Sequence, residues 1–503
     1  MTLLVSSQIM RECEERNFAA GTADPRDLMQ IAAAGCVEEF MKFFSTIGNA
    51  GRIVVFAGFG NNGGDGVVMA GLLSKRVALP VVLALANRER FSDSGKFFFK
   101  QLPPEVAIED ASSIILHKTD VVIDALLGTG CRAPVREPFR SLIDKINAAM
   151  VKVFAVDLPS GLGADRCIKA YFTAVIGFFK DVVFTPQGIE HCGILRKVAL
   201  PLPLMPEVPE NTPQCTTLEW FEKTAHHLPR NVHKYQRGNV LICGGSKSYP
   251  QAPFLSALSA LRSGAGMVHL AVPFEFTAGT GTLAVIPHRV PENEGSFCKE
   301  SFKTLEPMLP KLDVIAAGPG MGRSADAAKF IEQLLAVDKP LILDADAIHL
   351  AALFPKVLCS RCAPTLLTPH RGEAAVLAGA YNIKLSKSDP DDARKLARAS
   401  DCTVLLKGAR TVIADADGRI FINTSGTPAL ATAGSGDTLT GLAAAEMCHH
   451  AALEAAARSA FLHGLAGEMA ALEFGEQGVI ADDLAAFIAR AGCSVQRSGD
   501  IFA

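Results

Sequence analysis

The stretch RIVVFAGFGNNGGDG, Arg52 to Gly66, joins a short apolar run to a glycine-rich turn. Such a run, too short for a buried helix, reads as a strand covered on both faces. The turn GFGNNGGDG lets the chain reverse tightly and gathers backbone N–H donors, and its spacing predicts a helix from near Gly64. A strand, a glycine turn and a helix are the first part of a βαβ unit, which implies a parallel sheet. Working outward, PVVLALA, DVVIDALLG and VKVFAVDLPSG repeat the pattern in the first half. NVLICGG, MVHLAVP, DVIAAGPGMG, PLILDADAI, PTLLTPH and CTVLLKGA repeat it in the second. The expected class is α/β, with a doubly wound parallel sheet in each half and ligands beyond the carboxyl ends of the strands.

Between the halves lies LPLPLMPEVPENTP, Leu200 to Pro213, whose five prolines disfavour both helix and sheet. It reads as an extended linker between domains at 1–208 and 214–503. A chain of 503 residues exceeds what one core supports. Hydrophobic residues at 49% and charged residues at 20% suit compact domains, and a net charge of −3 with no basic block gives no argument for nucleic-acid or membrane partners, so neither is expected. Thirteen scattered cysteines suit a reducing compartment, so a cytoplasmic protein is expected. The start, MTLLVSSQIM, lacks the basic region of a signal peptide. Cys359 and Cys362, with His370 nearby, have no second pair to complete a zinc site, and free thiols are the expectation. Cys448, His449 and His450 are adjacent on a helix and point apart.

In the first half, Asn61, Asn62 and Asp65 interrupt the glycine turn, and Asp124, Asp157 and Ser160 close the next strands. Amide, hydroxyl and carboxylate oxygens together suit a hard cation such as K⁺. Asp157 before Leu158-Pro159 is held to aim at a reacting group, or else serves as a turn cap. GFGNNGGDG, DALLGTGCRAPV and VDLPSG, with LMQIAAAGC before and AYFTAVIGFFK after, closely resemble the NAD(P)H-hydrate epimerase family, the YjeF N-terminal domains. That resemblance implies a Rossmann-like three-layer domain and K⁺-assisted epimerisation of hydrated NADH or NADPH. By it, Asn61, Asn62, Gly63, Gly64 and Asp65 contact substrate, as do Gly128, Thr129, Gly130, Cys131, Arg132, Ala133 and Pro134. Asn62, Asp124 and Ser160 hold K⁺, and Asp157 binds substrate and moves the proton. Cys131 and Tyr171 depart from the family pattern, which bears on affinity and not on reaction type.

In the second half the key stretch is TPALATAGSGDTLTGLAAA, Thr427 to Ala445. Gly434-Ser435-Gly436 opens a helix whose N-terminus attracts an anion, yet Asp437 puts a carboxylate there. GPGMGRS, LDADAI, TPHRGEA, LLKGARTVIA and this loop resemble the NAD(P)H-hydrate dehydratase family, a branch of the ribokinase-like fold. The resemblance resolves the conflict: N–H groups cradle a phosphoryl group in transit while Asp437 takes a proton from the attacking hydroxyl. By it, Lys407, Gly408, Ala409, Arg410 and Thr411 bind ADP or ATP with Mg²⁺. Thr427, Pro428, Ala429, Leu430, Ala431, Thr432, Ala433, Gly434, Ser435 and Gly436 complete the nucleotide site. Ala252, Gly320, His370 and Asp437 face the hydrated coenzyme, and Gln251 replaces a glycine frequent in the family. Asp344 and Asp346 read equally as Mg²⁺ ligands or as helix caps.

The whole chain is therefore expected to be a bifunctional repair enzyme for NADHX and NADPHX, dehydrating the S form, and a homo-oligomer. The alternative is a ribokinase-like vitamin-precursor kinase carrying a non-catalytic N-terminal binding module.

Overall fold

The computed structural model describes residues 1–87, 91–273 and 284–497 and divides into two units, Thr2–Thr212 and Pro213–Ala503 with Met1. The first unit contains β1 (Thr2–Val5), β2 (Arg52–Ala57), β3 (Val81–Leu85), β4 (Ala107–Asp110), β5 (Asp120–Ala125), β6 (Lys152–Val156), β7 (Phe172–Ile176), β8 (Phe179–Lys180) and β9 (Ile194–Val198). Seven of these form a parallel sheet in the order β4-β3-β2-β5-β6-β7-β9. Short β1 pairs in parallel with β8. Because successive strand residues point to opposite faces, Val55 packs with Phe40 and Met69 on one side while Val54 packs with Leu142 and Ile143 on the other. That two-sided burial is why the strands read as continuous apolar runs. The order reverses between β2 and β5, so the loops leaving these strands border the crevice where α/β sheets bind ligands.

Two expectations are corrected here. The helix after β2 spans Asn61–Leu73, three residues earlier than its glycines suggested. Gly63 and Gly66 stand inside its first turns because a Cβ there would lie 2.1 Å from the Gly58 carbonyl oxygen and 2.7 Å from Ala125 Cβ. Close approach of helix to sheet, not loop formation, accounts for these glycines. The linker lacks helix and strand over 200–213, but its first part is fastened down. Leu202 is buried, and Asn17 clamps Leu204, donating to its carbonyl at 2.9 Å and accepting from its amide at 3.1 Å.

The second unit contains β10 (Gln214–Cys215), β11 (Asn239–Cys243), β12 (Met267–Val272), β13 (Ile286–Arg289), β14 (Glu292–Asn293), β15 (Ser296–Phe297), β16 (Val314–Ala317), β17 (Leu341–Leu343), β18 (Thr365–Leu367), β19 (Thr403–Leu406), β20 (Val412–Ala414) and β21 (Ile420–Ile422). Its sheet runs β13-β12-β11-β16-β17-β18-β19-β20-β21-β10, and β13 through β19 are parallel. The all-parallel expectation fails at one end, where β20 pairs antiparallel with both β19 and β21. β14 and β15 form a separate antiparallel pair. Helices Ala252–Arg262, Ser435–Met447 and Ala452–Phe474 cover one face, burying Ala257, Ala260, Leu439, Ala443, Ala456 and Ala460 against Val240 and Ile242. Alanine and glycine set the spacing. A Cβ on Gly441 would lie 1.9 Å from the Ser256 carbonyl oxygen, so two helices touch backbone to backbone there.

Gly441→Ala is therefore expected to force these helices apart and to destabilise this unit by about 1–3 kcal/mol, the usual range for overpacking. Urea unfolding followed by circular dichroism reads it directly, and an unchanged midpoint would contradict the close-packing account.

Candidate active sites

In the first unit two of the residues expected to hold K⁺, Asn62 and Ser160, bond Leu127, and the third, Asp124, is joined to it through Ser160. Asn62 is buried in the first turn after β2 and donates from Nδ2 to the Leu127 carbonyl at 3.1 Å. Its Oδ1 is buried with no hydrogen-bond partner. Asp124, fully buried at the end of β5, accepts from Ser160 Oγ at 2.5 Å and from the Ser160 amide at 2.7 Å. The Ser160 hydroxyl oxygen in turn accepts from the Leu127 amide at 2.8 Å. Burial raises the Asp124 carboxyl to about 6, against the lowering effect of the Ser160 and Leu126 hydrogen bonds. No described lysine, arginine or histidine forms an ion pair with it. An orphaned amide oxygen beside a buried carboxyl without a counter-charge fits a weakly charged hard cation. Gly128 adjoins Asn62, with a Cβ there 3.4 Å from Asn62 Cβ, so the loop to Pro134 leaves the same place; Gly130, Arg132, Ala133 and Pro134 are exposed.

Asp157 follows β6 with φ of +64°, a left-handed conformation that aspartate tolerates better than most residues. The conformation is held from both sides. The Asp157 amide donates to the Ala174 carbonyl at 2.9 Å, and its Oδ1 accepts from the Ile176 amide at 3.1 Å and from Lys180 Nζ at 2.5 Å. Lys180 is 1% exposed and also donates to the Ile176 carbonyl. Two further carboxyls stand in the field of this pair. Burial, then Asp157 and Glu14, push buried Asp65 well above the ordinary carboxyl range, although Lys180 opposes the shift. Glu14, on helix Ser7–Ala19, rises to about 7 through burial, with Lys180 lowering it and Asp157 raising it.

The sequence reading missed Lys180 and Glu14. A signal existed for Lys180: it is a lone charge closing the apolar run FTAVIGFF, and a buried lysine needs a partner. Glu14 gave none, since it sits among exposed Arg11, Glu12 and Glu15.

In the second unit, Gly434 has φ of +86° and caps helix Ser435–Met447, where a Cβ would strike Leu255 Cδ1 at 2.6 Å. Asp437 occupies the first turn of that helix. Its backbone is anchored by helix Ala252–Arg262: Ser256 Oγ donates to the Asp437 carbonyl at 2.7 Å and Ser259 Oγ to the Thr438 carbonyl at 2.6 Å. Beneath the turn lies His463, which burial pushes down to about 4, so it is neutral, with Nε2 3.1 Å from Thr438 Oγ1. Burial and nearby Asp344 raise the Asp437 carboxyl to about 7, while Lys407 pulls the other way. Lys407 Nζ would be 3.4 Å from a Cβ at Gly436, which puts one cation beside the helix opening.

Lys407 is fixed by Asp344. The ammonium lies 2.8 Å from Asp344 Oδ1 and 3.8 Å from Glu373 Oε2. Asp344 also accepts from Thr368 Oγ1 and Thr440 Oγ1, each at 2.7 Å. Burial alone would raise this carboxyl, but Lys407 and the two hydroxyls outweigh burial and hold it below its ordinary value. Between the aspartates Ala345 has φ of +47° and ψ of −121°, and the two carboxylates go to different partners. Asp346 accepts from the Gly322 amide at 2.9 Å and pairs with Arg323 at 2.6 Å. Neither aspartate caps a helix with its side chain, and both are engaged within the protein. The pair thus builds no Mg²⁺ cage of its own, which suits an ion that arrives on nucleotide phosphates.

Of the residues expected at the coenzyme, Gly320 and Ala252 meet, with a Gly320 Cβ 3.1 Å from Ala252 Cβ. His370 has a structural task as well: Nδ1 accepts from the Gly372 amide at 2.9 Å, capping helix Arg371–Ala380, and Nε2 lies 3.3 Å from Glu373 Oε1. Of those expected at the nucleotide, Gly408 and Ala409 are exposed beside Lys407, and Ala431 and Ala433 are exposed before Gly434. Arg410 turns inward and donates to the Thr424 carbonyl, while Ala429 and Leu430 pack into a core cluster with Phe461. Ser435 is buried as well, and the Leu430 amide donates to the Thr427 carbonyl at 3.1 Å. Thr427 Oγ1 accepts from the Ala429 amide. The thirteen cysteines are free, and among the described residues no group of three or more His, Cys, Asp and Glu is arranged to hold a metal. Among the described residues no helix is long and apolar enough to cross a membrane.

Comparison with known proteins agrees with both halves. Residues 25–181 match the family described as YjeF-related protein N-terminus, and residues 240–490 match NAD(P)H-hydrate dehydratase. The bifunctional NAD(P)H-hydrate repair enzyme Nnr of Moorella thermoacetica is 35% identical over 486 residues, covering 92% of this chain and 91% of that protein. Its namesake in Coxiella burnetii is 30% identical over 503 residues, covering 96% and 98%. A solved ADP/ATP-dependent NAD(P)H-hydrate dehydratase from Bacillus subtilis is 27% identical, with a TM-score of 0.46, over 57% of this chain and 100% of that one. Matched by the Moorella and Coxiella enzymes over more than nine-tenths of each sequence, the chain belongs to the family of bifunctional NAD(P)H-hydrate repair enzymes.

Proposed function

We propose that the two units carry out the two steps of that repair, each at its own site. The first unit interconverts the R and S forms of hydrated NADH or NADPH. The hydroxylated ring carbon adjoins the ring nitrogen, whose lone pair assists departure of the hydroxyl as water, and water then returns on the other face. Asp157, held by the Ile176 amide and Lys180, is the proton-moving group. Asn62, Asp124 and Ser160 would hold K⁺, which supplies positive charge where substrate phosphate or hydroxyl oxygens gather. Exchanging K⁺ for tetramethylammonium is expected to slow epimerisation markedly in the wild type and to have little further effect in Asp124→Asn. A rate independent of the cation would contradict the assignment.

The second unit phosphorylates the hydroxyl of the S form with ADP or ATP, and elimination of that phosphate restores NADH or NADPH. The observation that carries this reading is Asp437 on the first turn of a glycine-opened helix with Lys407 beside it. Amides of the Gly434–Gly436 turn and the lysine ammonium offer positive charge to the phosphoryl group, while the carboxylate accepts the hydroxyl proton. Mg²⁺ would be held chiefly through nucleotide phosphates and neutralises their charge. Thirteen free thiols support a cytoplasmic setting.

The base must be ionised to act, and burial holds Asp437 near 7. Turnover is therefore expected to rise with pH through about 7, and at pH 6 only about a tenth of the enzyme carries the carboxylate form. Initial rates of NADH recovery at saturating ADP test this. A profile flat from about pH 5.5 to 8 would exclude Asp437 as the titrating base.

A further inference from the structure

Three carboxyls and one ammonium share the buried end of β6 in the first unit: Asp157, Asp65, Glu14 and Lys180. They are not equivalent. Lys180 bonds Asp157 at 2.5 Å and no other described acid within ion-pair distance. Asp65, 8% exposed on the first turns of helix Asn61–Leu73, has no ion pair among the described residues. Its neighbours offer it nothing positive besides the more distant Lys180. Helix Pro25–Phe44 presents Cys36 and Met29, helix Ser7–Ala19 presents Glu14, and helix Asp93–Phe99 meets the turn through Gly95. A buried carboxyl in that company keeps its proton, while Asp157 has an ammonium bonded to it.

We propose that Asp65 and Asp157 divide the epimerisation, Asp65 as the acid and Asp157 as the base, with buried Lys180 as the positioning cation that keeps the two roles apart. The proposal rests on the epimerase reading above. Asp65 gives its proton to the ring hydroxyl as the C–O bond breaks. That bond's electron pair leaves with water, and the ring nitrogen's lone pair forms a C=N⁺ bond. Water then adds to the opposite face, the C=N⁺ electrons return to nitrogen, and Asp157 takes the proton. Transfer of that proton back to Asp65 resets the site, so water and protons balance over the cycle.

The test is the pH dependence of kcat/KM for interconversion of the two epimers by the full chain, with Asp65→Asn, Lys180→Met and Lys180→Arg. The wild type should give a bell. Asp65→Asn should lose the alkaline limb and fall about a hundredfold or more. Lys180→Met should move the acidic limb upward by about one unit or more, and Lys180→Arg should return it toward the wild type. Persistence of the alkaline limb in Asp65→Asn, or a uniform loss in Lys180→Met with no limb moved, would overturn the proposal. A second readout needs no turnover. The infrared spectrum in D₂O at neutral pH should contain a protonated-carboxyl component, beyond those of Glu14 and Asp437, that is lost in Asp65→Asn, an isosteric change, and absence of that difference would also overturn the proposal. If the wild type does not interconvert the epimers at all, the epimerase reading fails, and the infrared band alone decides the state of the pair.

Discussion

Asp437→Asn is expected to reduce recovery of NADH from its S hydrate by about 10²- to 10⁴-fold, the usual worth of a positioned general base. The amide keeps the shape of the side chain but cannot take the hydroxyl proton. Folding should be nearly unaffected, because the helix turn is anchored through the backbone carbonyls of Asp437 and Thr438 by Ser256 and Ser259. Removing a carboxyl that burial raises to about 7 also removes an unfavourable charge, so stability above that pH should hold or rise slightly. The measurement is coupled: nicotinamide absorbance for turnover and urea unfolding for stability. Loss of both together would mean that Asp437 acts structurally.

Lys407→Met should have the largest effect on the fold of the second unit. It leaves the Asp344 carboxyl buried with Thr368 and Thr440 but without its cation. Breaking a buried pair from one side typically costs about 3–5 kcal/mol, more than deleting both partners. Unfolding should therefore shift strongly in Lys407→Met, and Lys407→Met combined with Asp344→Leu should recover much of that loss. The sign with pH follows from Asp344. Its carboxyl lies below the ordinary value in the folded state, so its contribution is present above that ordinary value and fades as pH falls through the depressed one. Activity should not return in the double variant, since the cation beside Gly436 is still missing. A double variant no more stable than the single one would contradict the pairing account.

Much of this was legible in the sequence because the strands are buried on both faces. RIVVFA, DVVIDA and NVLIC announce themselves as unbroken apolar runs, and the polar residues that follow each run mark the ligand edge of the sheet. What stayed hidden has physical causes. The helix at Asn61 was masked because glycine disfavours helices in isolation, whereas here contact with Gly58 and Ala125 requires it. The antiparallel strands β20 and β21 are three residues each, too short for periodicity to give direction. Lys180 and Asp157 are 23 residues apart, and only the crossover that sets β7 parallel to β6, with β8 following it, brings them together. Asp344 and Asp346 look alike on paper, yet the left-handed Ala345 between them sends one to Lys407 and the other to Arg323.

The central claim is that two sites on one chain complete a repair that either alone leaves unfinished. An equilibrated mixture of R and S hydrates, given to the full chain with K⁺, Mg²⁺ and either ADP or ATP, tests it most directly. The account predicts recovery of reduced-nicotinamide absorbance from the whole mixture, and recovery halting at the S fraction in Asp157→Asn. Accumulation of a stable phosphorylated hydrate, or a wild-type reaction that stops at the S fraction, would contradict it.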